Sequence, residues 1–346
     1  MIYLRHILRQ RHAIAALAGT AWEMSGPVSR LRERVRERAD LARGGARGPL
    51  SPAPDRGGEG TGKIRETGPE ITASVAPPIA LPGPELTARV PAPAPALVRD
   101  YLLHVGGDPG AQRGVVPPHL FLQWSLPLAA RTLRGLPYPL LRILNAGCRI
   151  QVNTSLPAGR PLSVRASLQG IDANERRAVL HQRIITGTDG APDALVADLF
   201  TVVPVSEAAS RDRPRGDAGP PRADTRIPDD ARELARWWLP RNSGLAFAAL
   251  TGDFNPIHWA APYARANGFP GPILHGFATL ARAWEGLVRA RFAGAADRLR
   301  AVDVRFLRPL PLPQQTGLFV AGSRFFVGGA PGARATLAGT FEEASP

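Results

Sequence analysis

The chain has 346 residues, 44% of them apolar, with 36 Gly and 36 Pro, which allows one to three globular domains interrupted by many turns. Its single cysteine, Cys148, excludes an intrachain disulfide framework and a cysteine-rich metal site, reads as a small buried apolar residue, and fits a cytoplasmic location. The net charge of +14 rests on scattered arginines and one lysine, Lys63. No basic motif or aromatic interleaving accompanies them, so a nucleic-acid partner is not expected, and no run of 18 apolar residues suggests a membrane span.

In chain order, residues 1–85 read as a basic N-terminal extension. Residues 13–18 are a short apolar run behind Arg5, Arg9 and Arg11, too short and too ambiguously flanked to stand as a signal peptide. Leu31, Val35 and Ala39 recur at helical spacing in an Arg/Glu field, as in a solvated amphipathic helix. Residues 43–85 are rich in Gly, Pro and Ser with almost no aromatics. Such a stretch buries too little apolar area to offset its ordering entropy, so it is expected to be disordered.

Residues 86–205 form a first patterned unit. An apolar run at 97–105 ends at Gly106-Gly107-Asp108. Pro117-Pro118 then opens a helical stretch at 119–133. Strands are expected at 142–152, 161–170, 178–186 and 194–205, and Leu162, Val164, Ala166 and Leu168 alternate with polar residues. A polar, Pro/Gly-rich linker occupies 206–226. A second unit, 227–346, repeats the order: an apolar run at 245–250 ending at Gly252-Asp253, a helix at 276–292, and strands at 301–307, 316–324 and 333–341. Pro91 and Pro240 hold similar places in the two copies. Helix followed by consecutive strands argues an antiparallel α+β unit, present twice.

The chemistry concentrates at residues 250–276. Asp253 and His258 lie five residues apart with Asn255-Pro256, a turn signal, between them. The bend can aim a carboxylate and an imidazole at one point, which is the equipment of acid–base catalysis. Gly271-Pro272 and Gly276 precede an apolar helix, whose first N–H groups are free to meet an oxyanion.

Gly252, Asp253, Asn255, Pro256, Ile257 and His258 resemble the hydratase-2 motif of the MaoC-like dehydratase family. Gly271, Pro272, Ile273, His275 and Gly276 match its later segment, and Val304-Arg305-Phe306-Leu307-Arg308-Pro309 matches its following strand. The resemblance covers roughly residues 237–343 and implies a double hot-dog fold, with two antiparallel sheets each wrapped around a central helix. It implies an (R)-specific enoyl-CoA hydratase or 3-hydroxyacyl thioester dehydratase of fatty acid metabolism, a hydro-lyase without cofactor or metal. Asp253 and His258 would act on one water, with Asn255 and Gly276 binding substrate. The substrate carrier would be coenzyme A or acyl carrier protein, and a homodimer is compatible with the pattern. Two other readings stay open: a hot-dog thioesterase, and a non-catalytic acyl-thioester-binding subunit.

His275 reads as structural, and Arg305 and Arg308 as exposed strand arginines. In the first unit Gly107-Asp108 is followed by Pro109-Gly110, and His104 and His119 fall outside the motif's spacing. No carboxylate–imidazole pair is legible there, so one active site per chain is expected.

Overall fold

The computed structural model describes residues 79–140, 143–205 and 225–344. The helix expected in 1–42, most of the stretch 43–85 expected to be disordered and most of the linker lie outside these residues; of that stretch, residues 79–85 are described, and Gly83 N–H donates to the Leu168 carbonyl at 2.7 Å.

The first half runs β1 (Leu86–Val90), α1 (Pro95–Val105), β2 (Val115–Val116), a 3-10 turn (Pro118–Leu120), α2 (Leu122–Arg131), β3 (Leu144–Val152), β4 (Leu156–Pro157), β5 (Leu162–Ala173), β6 (Arg177–Thr188) and β7 (Ala191–Pro204). The second half repeats it: β8 (Arg232–Leu239), α3 (Ser243–Thr251), a 3-10 turn (Pro256–His258), α4 (Ala261–Ala266), β9 (Ile273–Leu274), α5 (Gly276–Arg291), β10 (Leu299–Phe306), β11 (Leu310–Pro311), β12 (Gln314–Ala321), β13 (Arg324–Gly328) and β14 (Leu337–Glu343). The apolar runs at 97–105 and 245–250 are helices α1 and α3. Both end in left-handed glycines, Gly106 at φ 84° and Gly252 at φ 87°, a conformation that costs glycine nothing and an L side chain strain.

The strands expected in the first unit are present within a few residues of their expected limits. β1 and β8 were not anticipated, because Leu-Thr-Ala-Arg-Val and Arg-Glu-Leu-Ala-Arg-Trp-Trp-Leu carry charges that suit the two outer edges of a sheet. The strand expected at 316–324 is broken by a turn at Gly322, φ 62°, and resumes as β13. The strand expected at 333–341 begins at Leu337.

All the longer strands join one ten-stranded sheet of order β1-β5-β6-β7-β3-β10-β14-β13-β12-β8. Each half contributes five of its strands, and the halves meet where β3 and β10 pair antiparallel, Gly147 opposite Arg305 and Gln151 opposite Ala301. The two short ladders repeat as well: Val116 faces Leu156 in one half as Leu274 faces Leu310 in the other. These ladders fix a residue-by-residue equivalence between the halves. Against the sheet packs a single large core in which Phe121, Phe247, Trp284, Phe325 and Leu287 are fully buried. Burial of each such side chain contributes roughly 1.5–3 kcal/mol. Cys148 is also fully buried, and burial pushes its thiol pKa up, in keeping with an unreactive apolar filler. Among the described residues no helix is long and apolar enough to cross a membrane.

The β3–β10 seam is tight. A Cβ on Gly147 would stand 2.6 Å from the Val304 carbonyl oxygen, and backbone on backbone cannot yield cheaply. Gly147→Val is therefore expected to lower stability by about 1–3 kcal/mol, the usual cost of overpacking, as read by urea unfolding. An unchanged midpoint would show that the seam is not a constraint.

Candidate active site

Asp253 is the first residue after the left-handed cap of α3. Asn255 follows in extended conformation, and its side-chain oxygen accepts the Ile257 N–H at 3.2 Å. That bond, with Pro256 in the first helical position, starts the 3-10 turn that ends at His258. The turn packs against α3 at Gly244, where a Cβ would lie 1.9 Å from the His258 carbonyl oxygen. The predicted bend is thus real and has two supports, a cap on one side and a glycine contact on the other.

His258 donates its Nδ1–H to the Ile273 carbonyl at 2.9 Å, which leaves Nε2 as an acceptor in the neutral ring. Burial lowers its pKa, opposed by the nearby Asp253 charge and the bond to Ile273. The Asp253 side chain is 21% exposed, so the pair is open to a small reactant. Asp253 and His258 are brought together, as the motif implies.

The structure adds His275, assigned from sequence to a local structural role. Its ring stacks on that of His258, centroids 3.6 Å apart at 25°. Its Nε2–H donates to the Asp253 carbonyl at 3.0 Å and lies 3.9 Å from Asp253 Oδ2. Burial and the adjacent His258 hold its pKa well below the ordinary range. His275 therefore backs both members of the pair. The ligand-type atoms of Asp253, His258 and His275 all lie within 4.8 Å of one another, but the set does not fit a metal ion. Stacked, nearly parallel rings direct their in-plane lone pairs side by side and not toward a common centre, and one nitrogen of each ring is already bonded to a backbone carbonyl.

Gly276 opens α5 directly after His275. Its N–H and that of Phe277 are not used by the helix, whose first bonds run from Ala278 and Thr279 to the His275 carbonyl. Gly276 is also a close-packing site: a Cβ would be 2.8 Å from the Phe306 ring. Arg305, next to Phe306 on β10, is exposed and points to the other face of the sheet. Arg308 lies beyond the strand end, where its backbone N–H donates to Thr336.

Sequence reasoning found no carboxylate–imidazole pair at the motif's spacing in the first half; the pair that half does hold, His181 Nε2 with Asp198 Oδ1 at 2.8 Å, joins the sheet strands β6 and β7. Another forms across the halves. Glu285 of α5, buried, accepts from His119 Nε2 at 2.7 Å and from Gln112 Nε2 at 2.8 and 2.9 Å. His119 Nδ1 meets the Tyr101 hydroxyl at 2.9 Å. No local spacing could have revealed this, since His119 and Glu285 are 166 residues apart.

Comparison with known proteins bears on part of the chain. A model described as MaoC like domain matches residues 228–321. The chain carries a MaoC-like domain. 3-Hydroxyacyl-thioester dehydratase Y of Mycobacterium tuberculosis is 30% identical over 174 residues, covering 49% of this chain and 58% of that protein. Peroxisomal enoyl-CoA hydratase 2 of Arabidopsis thaliana is 24% identical over 197 residues, covering 51% and 58%. The chain thus spans 58% of the length of each of these relatives. Among solved structures, HtdX of Mycobacterium tuberculosis aligns at a TM-score of 0.58 with 20% identity, over 75% of this chain and all of that one. A second protein of that organism, described as having a double hot-dog fold, aligns at 0.50 with 14% identity, over 76% and 96%. The fold is a double hot dog, and the MaoC-like domain holds Asp253, His258, His275 and Gly276.

Two measurements probe this geometry. Gly244→Ala should displace the His258 turn, since both contacting atoms at 1.9 and 2.9 Å are backbone. It should cost at least ~2 kcal/mol of stability. A variant as stable as the parent, with the same tryptophan fluorescence, would contradict the contact. Acid stability is the second. Burial, with Arg282 nearby, pushes His104 down to about 3, and His258 and His275 are lowered too. Their unfolded values near 6.5 are higher, so the unfolded state binds more protons below pH 6.5 and stability falls on acidification. His104 alone would cost about 1.4 kcal/mol per pH unit between about 6.5 and 3. His104→Leu should flatten the pH dependence of the unfolding midpoint in that window, and an unaltered slope would exclude His104 as its source.

Proposed function

We propose that the protein is a hydro-lyase that reversibly hydrates trans-2-enoyl thioesters to (3R)-3-hydroxyacyl thioesters. The observation that carries this reading is the pairing of a partly exposed Asp253 carboxylate with a neutral His258 whose Nε2 is an acceptor. Asp253 and His258 bring ligand-type atoms within 4.8 Å of each other, a span that one water donating to two acceptors bridges. The oxygen of that water forms the bond to C3 while one of its protons passes to the pair. The pair returns a proton to C2, so that OH and H are added and no group is released. Dehydration is the reverse. As charge develops on the thioester oxygen, the free N–H groups at the start of α5, that of Gly276 foremost, are placed to receive it. Asn255 supports the site by holding the turn, and its amide nitrogen is left for the substrate or water.

The relatives' names, a 3-hydroxyacyl-thioester dehydratase and an enoyl-CoA hydratase, support this reaction class. The site takes support from both halves. Phe247 stands between His275 and the first half's Tyr101 and His104, at 4.9, 6.1 and 6.4 Å between ring centroids.

Asp253→Asn and His258→Ala should each lower turnover of a crotonyl thioester by at least ~10²-fold, with the double variant little worse than either single one, because the pair acts as a unit. Protonation of His258 removes its acceptor, so kcat/KM should fall on the acid side with an inflection below 6.5, in the direction burial moves its pKa. Assays monitor enoyl absorbance with coenzyme A and acyl carrier protein thioesters in parallel. Near-parental turnover in either single variant with an intact fold would refute the assignment. Release of free thiol in place of hydration would favour a thioesterase.

A further inference from the structure

The short ladders and the left-handed caps align the two halves at single-residue resolution. Asp253 is the first residue after the left-handed Gly252, and its counterpart after the left-handed Gly106 is Gly107, not Asp108. Asp108 turns instead to its own loop, where it accepts the Gly110 N–H at 2.7 Å. Counting from the ladder residues Leu274 and Val116, Gly276 corresponds to Pro118, which has no N–H to offer an oxyanion. The first half has therefore lost both the acid and the donor of the second.

The space of the lost acid is not empty. A Cβ built on Gly107 would lie 2.6 Å from Glu285 Oε2 and 2.7 Å from its Cδ. The Glu285 carboxylate thus stands where a side chain at position 107 would begin. It is paired there with an imidazole, His119 at 2.7 Å, both side chains being no more than 3% exposed. Gln112 donates to both carboxylate oxygens and separates this centre from a cavity of about 220 Å³ that it lines with Val116, Pro118 and Leu156. By the same count the α2 residue matching Glu285 is Pro127, so α2 has no acid to send toward Asp253.

We propose that Glu285 is the first half's acid, moved onto the other half of the chain. Its carboxylate replaces the side chain missing at Gly107, and its pair with His119 closes that site and locks α5 of the second half to α1 and the following loop of the first. A carboxylate buried this deeply is costly unless fully bonded, and every partner that satisfies Glu285 here belongs to the opposite half. The proposal rests on the repeat and not on the reaction assigned to Asp253 and His258, so its test reads folding, not turnover.

The test uses thermal unfolding of the full chain. Glu285→Ala should lower the midpoint by about 5–10 °C. Gly107→Asp should also lower it, by setting a second carboxylate against the first. The double variant Gly107→Asp/Glu285→Ala returns the acid to its own half, and should recover at least about half of the Glu285→Ala loss. Acetate at tens of millimolar should raise the midpoint of Glu285→Ala above that in chloride of equal ionic strength, and leave the parent unchanged. That rescue is not expected of a side chain that merely fills space. If Glu285→Ala is insoluble, recovery of the double variant in soluble form is the expected result. A double variant no better than the worse single one, or acetate acting equally on parent and variant, would overturn the proposal.

Discussion

Helix α5 is buried along nearly its whole length, from Phe277 to Val288, and the rest of the molecule is arranged by that fact. A polar side chain on such a helix is costly unless it finds a partner. It carries Thr279, which bonds back to the His275 carbonyl, and Glu285, which is bonded three times, whereas Arg282 keeps a buried Nε without a hydrogen-bond partner and burial lowers its pKa to about 10. At its start the helix must leave N–H groups unbonded, and there the chain places Gly276 behind His275, beside Asp253 and His258. One rigid element thus holds the candidate oxyanion donors at one end. Nine residues on it holds the contact that fastens it to the first half.

What the sequence made legible followed from locality. Asp253 and His258 lie within one turn of chain, and Asn255-Pro256 dictates the bend between them, so their convergence could be inferred without any long-range contact. The strands of the first half alternate cleanly, as Leu162, Val164 and Ala166 do, and were read nearly to their limits. β1 and β8 escaped because edge strands carry Arg and Glu where a central strand would show an apolar run. β13 escaped because Gly322 breaks a continuous apolar stretch that otherwise reads as one strand. His275 looked like a residue of convenience. Only its stacking on His258 and its bond to the Asp253 carbonyl show that it sets the position of both.

Gly107-Asp108 was misleading for a physical reason. By sequence it echoes Gly252-Asp253. The feature that aligns the halves is not the Gly-Asp pair but the left-handed residue that ends each helix, and that residue is Gly106 in one half and Gly252 in the other. Backbone conformation, not residue identity, sets the register. Shifted by one, the apparent match becomes a glycine where the acid should be.

That one-residue difference explains how a repeat can keep its fold and lose its chemistry. The fold needs the β3–β10 seam, the two short ladders and an aromatic between the helices. Tyr101 and Phe247 each stand five residues before the left-handed glycine that ends their helix, and face each other at 6.1 Å. The chemistry needs an acid after the cap and an N–H at the next helix, and the first half replaces these with Gly107 and Pro118. Removing a side chain beside a buried helix leaves a void, and voids are destabilising. Filling the void from the opposite helix with Glu285 restores packing. Because the filler is charged and its partners are His119 and Gln112, it also makes each half the other's counter-surface. In the second half the Asp253 side chain stays partly exposed. The asymmetry between an occupied site and a partly exposed one is thus a consequence of where a single carboxylate is attached to the chain.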